Sequence, residues 1–245
     1  MKIANSRWPQ VSILLLLLLL TACMGTELGP KIDMHPYYYP FEKASEPIIY
    51  KYSVSTSTNW GLTFVEEAMF LRFKKEANGT MLLESYDDTL GRKMHHHFIA
   101  DSFGVSMLKP IIFEGDLKSE GQVTESQVIL WHWPINKLIK NGFEYESSKD
   151  NFLIEWDASM LGLKEVENSF GTSEGIELEL TSRVHGEGLN TGEKWQFKCE
   201  GTLIDLKGIG YYSSNVSNAF GYRENTELVQ ILTEAEWQAL NEANQ

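Results

Sequence analysis

Gly175-Ile176-Glu177-Leu178-Glu179-Leu180-Thr181 decides the fold class of this chain. Its large apolar residues fall at every second position, separated by glutamates, and a period of two is the spacing of a strand with one buried face. A loop from Gly186 to Gly192 follows. Beyond it Trp195, Phe197 and Cys199 alternate in the same way with Gln196 and Lys198. The stretch 175–206 therefore predicts an antiparallel hairpin. Trp195, Phe197 and Cys199 are expected on a buried face, with Gln196 and Lys198 facing water. That placement makes Cys199 a small core residue rather than a reactive thiol.

The same signal extends to both sides. Ile48, Tyr50, Tyr52 and Val54 alternate with Lys51, Ser53 and Ser55. The stretch 62–73 fits either a strand or a helix by spacing. Asn78-Gly79 behind it is a hairpin signal, with 81–86 as the returning strand, and this favours a strand for 62–73. Glycines at 91, 104, 115, 121 and 142 punctuate further strands expected at 93–100, 105–113, 123–133 and 143–156, and strands at 208–215 and 222–232 complete the set. Thr233-Glu234-Ala235-Glu236 is a capping box that starts a short helix, with Trp237 and Leu240 expected to pack it on the sheet. About ten strands without helical crossovers predict a mainly β fold. It is a single antiparallel, strongly twisted sheet, half-barrel or barrel-like, with a short C-terminal helix, occupying 48–245.

The chain has 245 residues, 42% hydrophobic and 22% charged, which is globular composition. Its formal charge of −13 repels phosphate backbones, and no run of basic residues offsets it, so a nucleic-acid partner is excluded. Two cysteines exclude a disulfide scaffold and any four-thiolate metal site.

The N-terminus carries an address. Lys2 and Arg7 precede the apolar run Ile13 to Leu20, which falls short of the roughly 20 residues of a membrane-spanning helix but suits a signal peptide. Leu20-Thr21-Ala22-Cys23 then resembles the lipobox of bacterial lipoproteins. The resemblance implies that 1–22 is a signal peptide removed after the Cys23 sulfur takes up a diacylglyceryl group. Acyl chains at Cys23 would anchor the protein to a membrane. In enteric bacteria an Asp after the lipidated Cys retains a lipoprotein in the inner membrane. Met24 stands there, so the same resemblance implies the outer membrane. Prolines at 30, 36, 40 and 47 predict an extended tether over 23–47, poor in regular structure. Tyr37-Tyr38-Tyr39 within it is expected to pack on the domain edge or sit at the membrane interface.

Cys199-Glu200-Gly201, Lys207-Gly208-Ile209-Gly210-Tyr211-Tyr212 and Glu227-Leu228-Val229 resemble the closing strands of TapB-like envelope domains. Those share a half-barrel with the lipoprotein carriers LolA and LolB. Tyr211 and Tyr212 depart from that pattern, which usually has a long aliphatic and a basic residue there. The resemblance implies a half-barrel and no particular reaction. On the residues alone, Gly208 and Gly210 leave one strand face bare for a crossing element, or mark a bulge.

Candidate chemistry is sparse. His95 and His97 share a strand face and offer two imidazoles to zinc or copper. No further ligand stands at a fixed spacing, so exposed imidazoles and no metal are expected. In Trp131-His132-Trp133-Pro134 the two indoles are expected in the core and His132 outside, with Pro134 ending the strand. Glu66-Glu67 and Asp87-Asp88 are acid pairs, but adjacent residues of a strand point to opposite faces, which does not suit paired-carboxylate catalysis. No nucleophile elbow, P-loop or dinucleotide fingerprint is present. The expectation is a membrane-anchored, non-catalytic envelope lipoprotein without cofactor, whose β domain binds a lipid, a peptide or an envelope protein. The alternatives are a structural lipoprotein docking on a larger complex and an envelope hydrolase. A concave apolar cavity would favour the first, and an apolar patch on an edge strand the second.

Overall fold

Where the alternation is strongest the sheet is longest. The structure, a computed structural model, describes residues 29–38, 46–58, 65–76, 80–87, 92–114, 117–126, 129–146 and 150–243. Strand β1 (Lys31–Asp33) and the single turn α1 (His35–Tyr38) come first, followed by β2 (Ile48–Ser57), β3 (Val65–Lys75), β4 (Met81–Asp87), β5 (Arg92–Ala100) and β6 (Gly104–Glu114). Four short strands follow: β7 (Leu117–Glu120), β8 (Gln122–Ser126), β9 (Ile129–Leu130) and β10 (His132–Pro134). The long strands β11 (Leu138–Glu146), β12 (Asp150–Asn168), β13 (Gly171–Gly188) and β14 (Lys194–Leu206) lead to β15 (Gly210–Ser217), β16 (Arg223–Thr233) and helix α2 (Glu234–Ala243).

All pairings are antiparallel, and the order β7-β6-β5-β4-β3-β2-β16-β15-β14-β13-β12-β11-β8 describes two up-and-down meanders. They are joined where β2 lies beside β16, with Ile48 opposite Thr233 and Ser57 opposite Arg223. The sheet wraps into a nearly closed barrel because its two outer strands are one piece of chain. β7 pairs with β6, and after the single residue Gly121, β8 pairs with β11. The Gly121 N–H donates to the Pro110 carbonyl at 2.9 Å. A Cβ at Gly121 would lie 2.6 Å from Pro110 Cγ and 2.9 Å from the Glu144 carbonyl oxygen, so only glycine lets the two walls meet there.

The mainly β, barrel-like reading holds, and the described part of 62–73 lies in strand β3, whose end meets the start of β4, Lys75 opposite Met81. The Asn78-Gly79 turn itself lies outside the described residues. Other boundaries need correction. The strand expected at 123–133 is three pieces, because its partner changes from β11 to β6 to β1 along its length. The strand expected at 143–156 is the end of β11 and the start of β12, which pair with each other, Glu146 opposite Asn151. Residues 157–174, left without an element by the sequence, complete a long hairpin. Asn168 Oδ1 accepts the Phe170 N–H at 2.8 Å at its tip, and Gly171 has φ of 116°.

The stretch 23–47 is also corrected where it is described. β1 pairs with β10, and Met34 and Tyr37 sit with Trp133, Ile139 and Met160 in a buried cluster at one end of the barrel. Apolar side chains override the proline content here and make residues 31–38 a plug. At the other terminus the capping box forms: Thr233 Oγ1 accepts the Glu236 N–H at 3.3 Å, and Glu236 Oε2 accepts the Thr233 N–H at 2.8 Å. Trp237 packs on Tyr86 at 5.1 Å between ring centroids, and Arg72 ties the helix down through Glu234 at 2.8 Å and through Glu84. Leu240, expected against the sheet, is exposed instead.

Gly121→Val should strain the barrel closure. Overpacking of this kind costs about 1–3 kcal/mol, and each kcal/mol lowers the melting temperature by about 2–4 °C in a domain of this size. A calorimetric scan should show a drop of several degrees, and an unchanged midpoint would mean that the walls do not meet at this residue.

Candidate functional site

A barrel of this many strands is too wide for its inward side chains to fill. Two chambers lie among the described residues. The larger, about 540 Å³, is walled by Met94 and His96 of β5 on one side and by Asn141, Phe143, Trp156 and Leu180 among others on the opposite side. The smaller, about 290 Å³, lies towards the plug and is lined by Tyr37, Tyr50, Leu71, Phe73, Phe98 and their neighbours. Asp205 and Tyr211 line both. The alternation that builds the strands therefore also builds an apolar interior.

The tyrosines of this wall are held by their hydroxyls. Tyr50 donates to the Ile209 carbonyl at 2.6 Å and Tyr52 to the Tyr211 carbonyl at 2.8 Å, while the rings of Tyr52 and Tyr211 stack at 5.1 Å. Burial pushes the Tyr211 hydroxyl up to about 12, so it stays protonated. At the plug, Tyr37 donates to Glu174 Oε1 at 2.7 Å, and the same oxygen accepts from Lys207 at 2.9 Å.

Polar groups inside the larger chamber are few. His96 Nδ1 and Asn141 Oδ1 are buried and, among the described residues, have no hydrogen-bond partner. Leaving such an atom unsatisfied costs about 1–3 kcal/mol. Burial, with smaller contributions from His95 and His97, lowers the His96 pKa from 6.5 to about 4, so the ring is neutral near pH 7.

At the end opposite the plug lies an open depression of about 820 Å³, floored by Tyr145, Phe152 and Trp195 and rimmed by Glu120, Glu144, Glu146 and Glu187. Tyr145 and Phe152 stack at 4.8 Å, and Trp195 meets Phe152 edge-on at 5.5 Å. This position corrects one expectation. Trp195 shares its strand face with Cys199, which is buried as expected, but at the mouth it is 41% exposed.

The residues singled out by sequence separate. Cys23, Met24 and Asp88 lie outside the described residues. The three histidines do not present exposed imidazoles, which corrects that expectation. His95 is half-buried against Phe113, with Nε2 3.5 Å from Glu84, and His97 is half-buried 3.9 Å from Glu76. His96 points inward. No group of His, Cys, Asp and Glu suited to a metal forms among the described residues. Trp133 is in the core and His132 outside, as expected. Trp131, however, sits in a bend where β1 and β6 take over the pairing, half-buried against His35, and its indole N–H donates to the Asp101 carbonyl at 2.7 Å. Glu66, Glu67 and Asp87 fall within β3 and β4, with Asp87 opposite Met69 rather than opposite an acid. Gly208 and Gly210 turn the chain between β14 and β15 with φ of 78° and 93°, and the Gly208 N–H donates to the Pro36 carbonyl of α1 at 2.7 Å. Asn141 and Asp205 were not singled out by sequence.

No helix among the described residues is long and apolar enough to cross a membrane. No known family profile matches the chain, and no curated protein matches it. Among solved structures, the crystal structure of the hypothetical lipoprotein YmcC from Escherichia coli (K12) is similar to it at 10% identity. That match has a TM-score of 0.31 and covers 74% of this chain and 86% of that one.

The inward placement of His96 has a thermodynamic consequence. As pH falls, the unfolded chain takes up a proton near 6.5 while the folded protein resists until about 4, so stability is lost progressively between those values. In His96→Leu the decline of melting temperature over that interval should be shallower than in the parent protein. Parallel declines would place the imidazole in water.

Proposed function

We propose that this chain is a lipid-anchored protein of the bacterial envelope whose barrel holds an apolar lipid chain in its interior and catalyses no reaction. The interior supports this reading most. A pocket of several hundred Å³, largely apolar and walled by opposed strands, is the shape of a small-molecule site rather than of a packed core. The lipobox at 20–23 supports the anchor at Cys23, and Met24 supports the outer membrane. The absence of catalytic spacing in the sequence supports a binding role. Docking on a larger complex is favoured less. The most exposed large apolar side chains, Phe103 at 72% and Phe220 at 80%, lie at opposite ends of the barrel and do not form one face.

Two measurements test the reading. Cys23→Ser removes the sulfur nucleophile, so metabolic labelling with a fatty-acid analogue should mark the parent protein and leave the variant unlabelled and uncut. Label kept on the variant would sink the anchor. Native mass spectrometry of protein purified from its own host should show a bound lipid released on activation. Ala158→Phe, which places a ring in the larger chamber, should abolish that mass shift while the fold survives in circular dichroism. A protein that carries no lipid, or a variant that retains it, contradicts the interior site.

A further inference from the structure

The walls of the larger chamber are largely apolar, with Ser182, Asp205 and Tyr211 among their polar side chains, and across the chamber β5 faces β11. These strands are not sheet neighbours, so contact between them crosses the interior. The His96 ring lies 6.0 Å from Phe143, two residues along the same face from Asn141. His96 Nδ1 and Asn141 Oδ1 are both buried in this chamber, and among the described residues neither has a hydrogen-bond partner. Folded proteins pair the great majority of buried polar atoms, and an exception in a cavity marks a place where something from outside completes the bond.

The chemistry of that something is constrained. Asp205, only 4% exposed, is the acid among the described residues that line the two chambers, and it disfavours an anionic group. Among the described residues no lysine or arginine lines either chamber, so nothing there neutralises a phosphate or carboxylate. A hydroxyl meets both needs at once when the neutral imidazole carries its proton on Nδ1, because it then donates to Asn141 Oδ1 and accepts from that N–H. A secondary amide offers the same pair of functions. We infer that His96 and Asn141 form a recognition pair for a neutral hydroxyl or amide carried within an otherwise apolar chain. The inference rests on the proposed lipid-chain site and adds which chain it selects.

The test uses methyl palmitate and a set of its monohydroxylated isomers, titrated calorimetrically into the purified protein. A site built around unpaired polar atoms rejects an analogue that lacks the matching group. At least one isomer, with its hydroxyl at the depth of the pair, should bind about tenfold more tightly than methyl palmitate. In Asn141→Leu, and in the double variant with His96→Leu, that preference should vanish while methyl palmitate still binds. If every isomer binds no better than the plain ester, the inference is overturned and the lipid-chain reading stands, with water serving the pair. A preference that survives in the variants overturns the assignment to these two residues. Binding of no probe at all removes both readings. Should the variants not fold, the comparison on the parent protein still decides.

Discussion

At Gly121 one strand changes edges. Its first half completes the meander that ends in β6, and its second half completes the meander that begins with β11. The Pro110 ring and the Glu144 carbonyl approach within the space of a missing Cβ. Without that crossing the sheet would be an open, twisted ribbon with two free edges, a template for pairing with other chains. With it, β5 and β11 become facing walls. The interior is a consequence of closure, since wide barrels enclose more volume than their side chains occupy.

An underfilled barrel must find its cohesion elsewhere, and the burial pattern shows where. Three clusters surround the chambers rather than filling them: the plug around Met34 and Trp133, the tyrosine wall around Tyr52 and Leu228, and the aromatic group around Phe143 and Tyr145. Tyrosine suits such a wall. It buries a large ring while its hydroxyl reaches a backbone carbonyl that would otherwise be left unpaired. Tyr50 and Tyr52 do this for the carbonyls of Ile209 and Tyr211, pinning the turn that carries Asp205 and Tyr211 into the cavity.

Much of the fold is legible because period two survives in most strands, and within an unbroken strand it gives the face of a side chain even where it does not give its burial. Trp195 shows the difference. Alternation fixes which face a side chain occupies, whereas exposure depends on how far along the barrel the residue sits, and that is a tertiary quantity. The run 123–133 misled for a related reason: pairing partners are not written in a strand's own residues, so three short strands read as one. Over residues 31–38 the sequence predicts a tether because the prolines are a local signal, whereas the partners that bury Met34 and Tyr37, Trp133 among them, lie far along the chain. The candidate site was less legible. His96 was the middle of a triplet whose outer members drew attention, yet the middle residue is the one the pleat turns inward. In Ile139-Asn141-Phe143-Tyr145, an asparagine interrupting an apolar parity was the available signal, and it looks the same as an ordinary polar substitution until the opposite wall is known.

The plug links the two ends of the chain's logic. β11 runs from the plug at Leu138 to the mouth at Glu146, so the aromatic depression and the N-terminal segment occupy opposite ends of the barrel. Tyr37 is both a wall of the smaller chamber and a hydrogen-bond partner of Glu174, which also holds Lys207 beside the β14–β15 turn. Gly29 is already tied to Ile135 through its N–H at 3.0 Å. Under the proposed anchorage, the chain between Cys23 and Gly29 spans at most about 20 Å even when fully extended. The plug end of the barrel is then the end held near the bilayer. The first described elements after Gly29 reach the interior at Tyr37, which walls the smaller chamber, and through Met34, which packs with Ile139 and Leu178 of the larger. If the proposed anchor and lipid site both hold, the anchored segment and the cavity wall therefore meet in the plug, where residues 31–38 close one end of the interior.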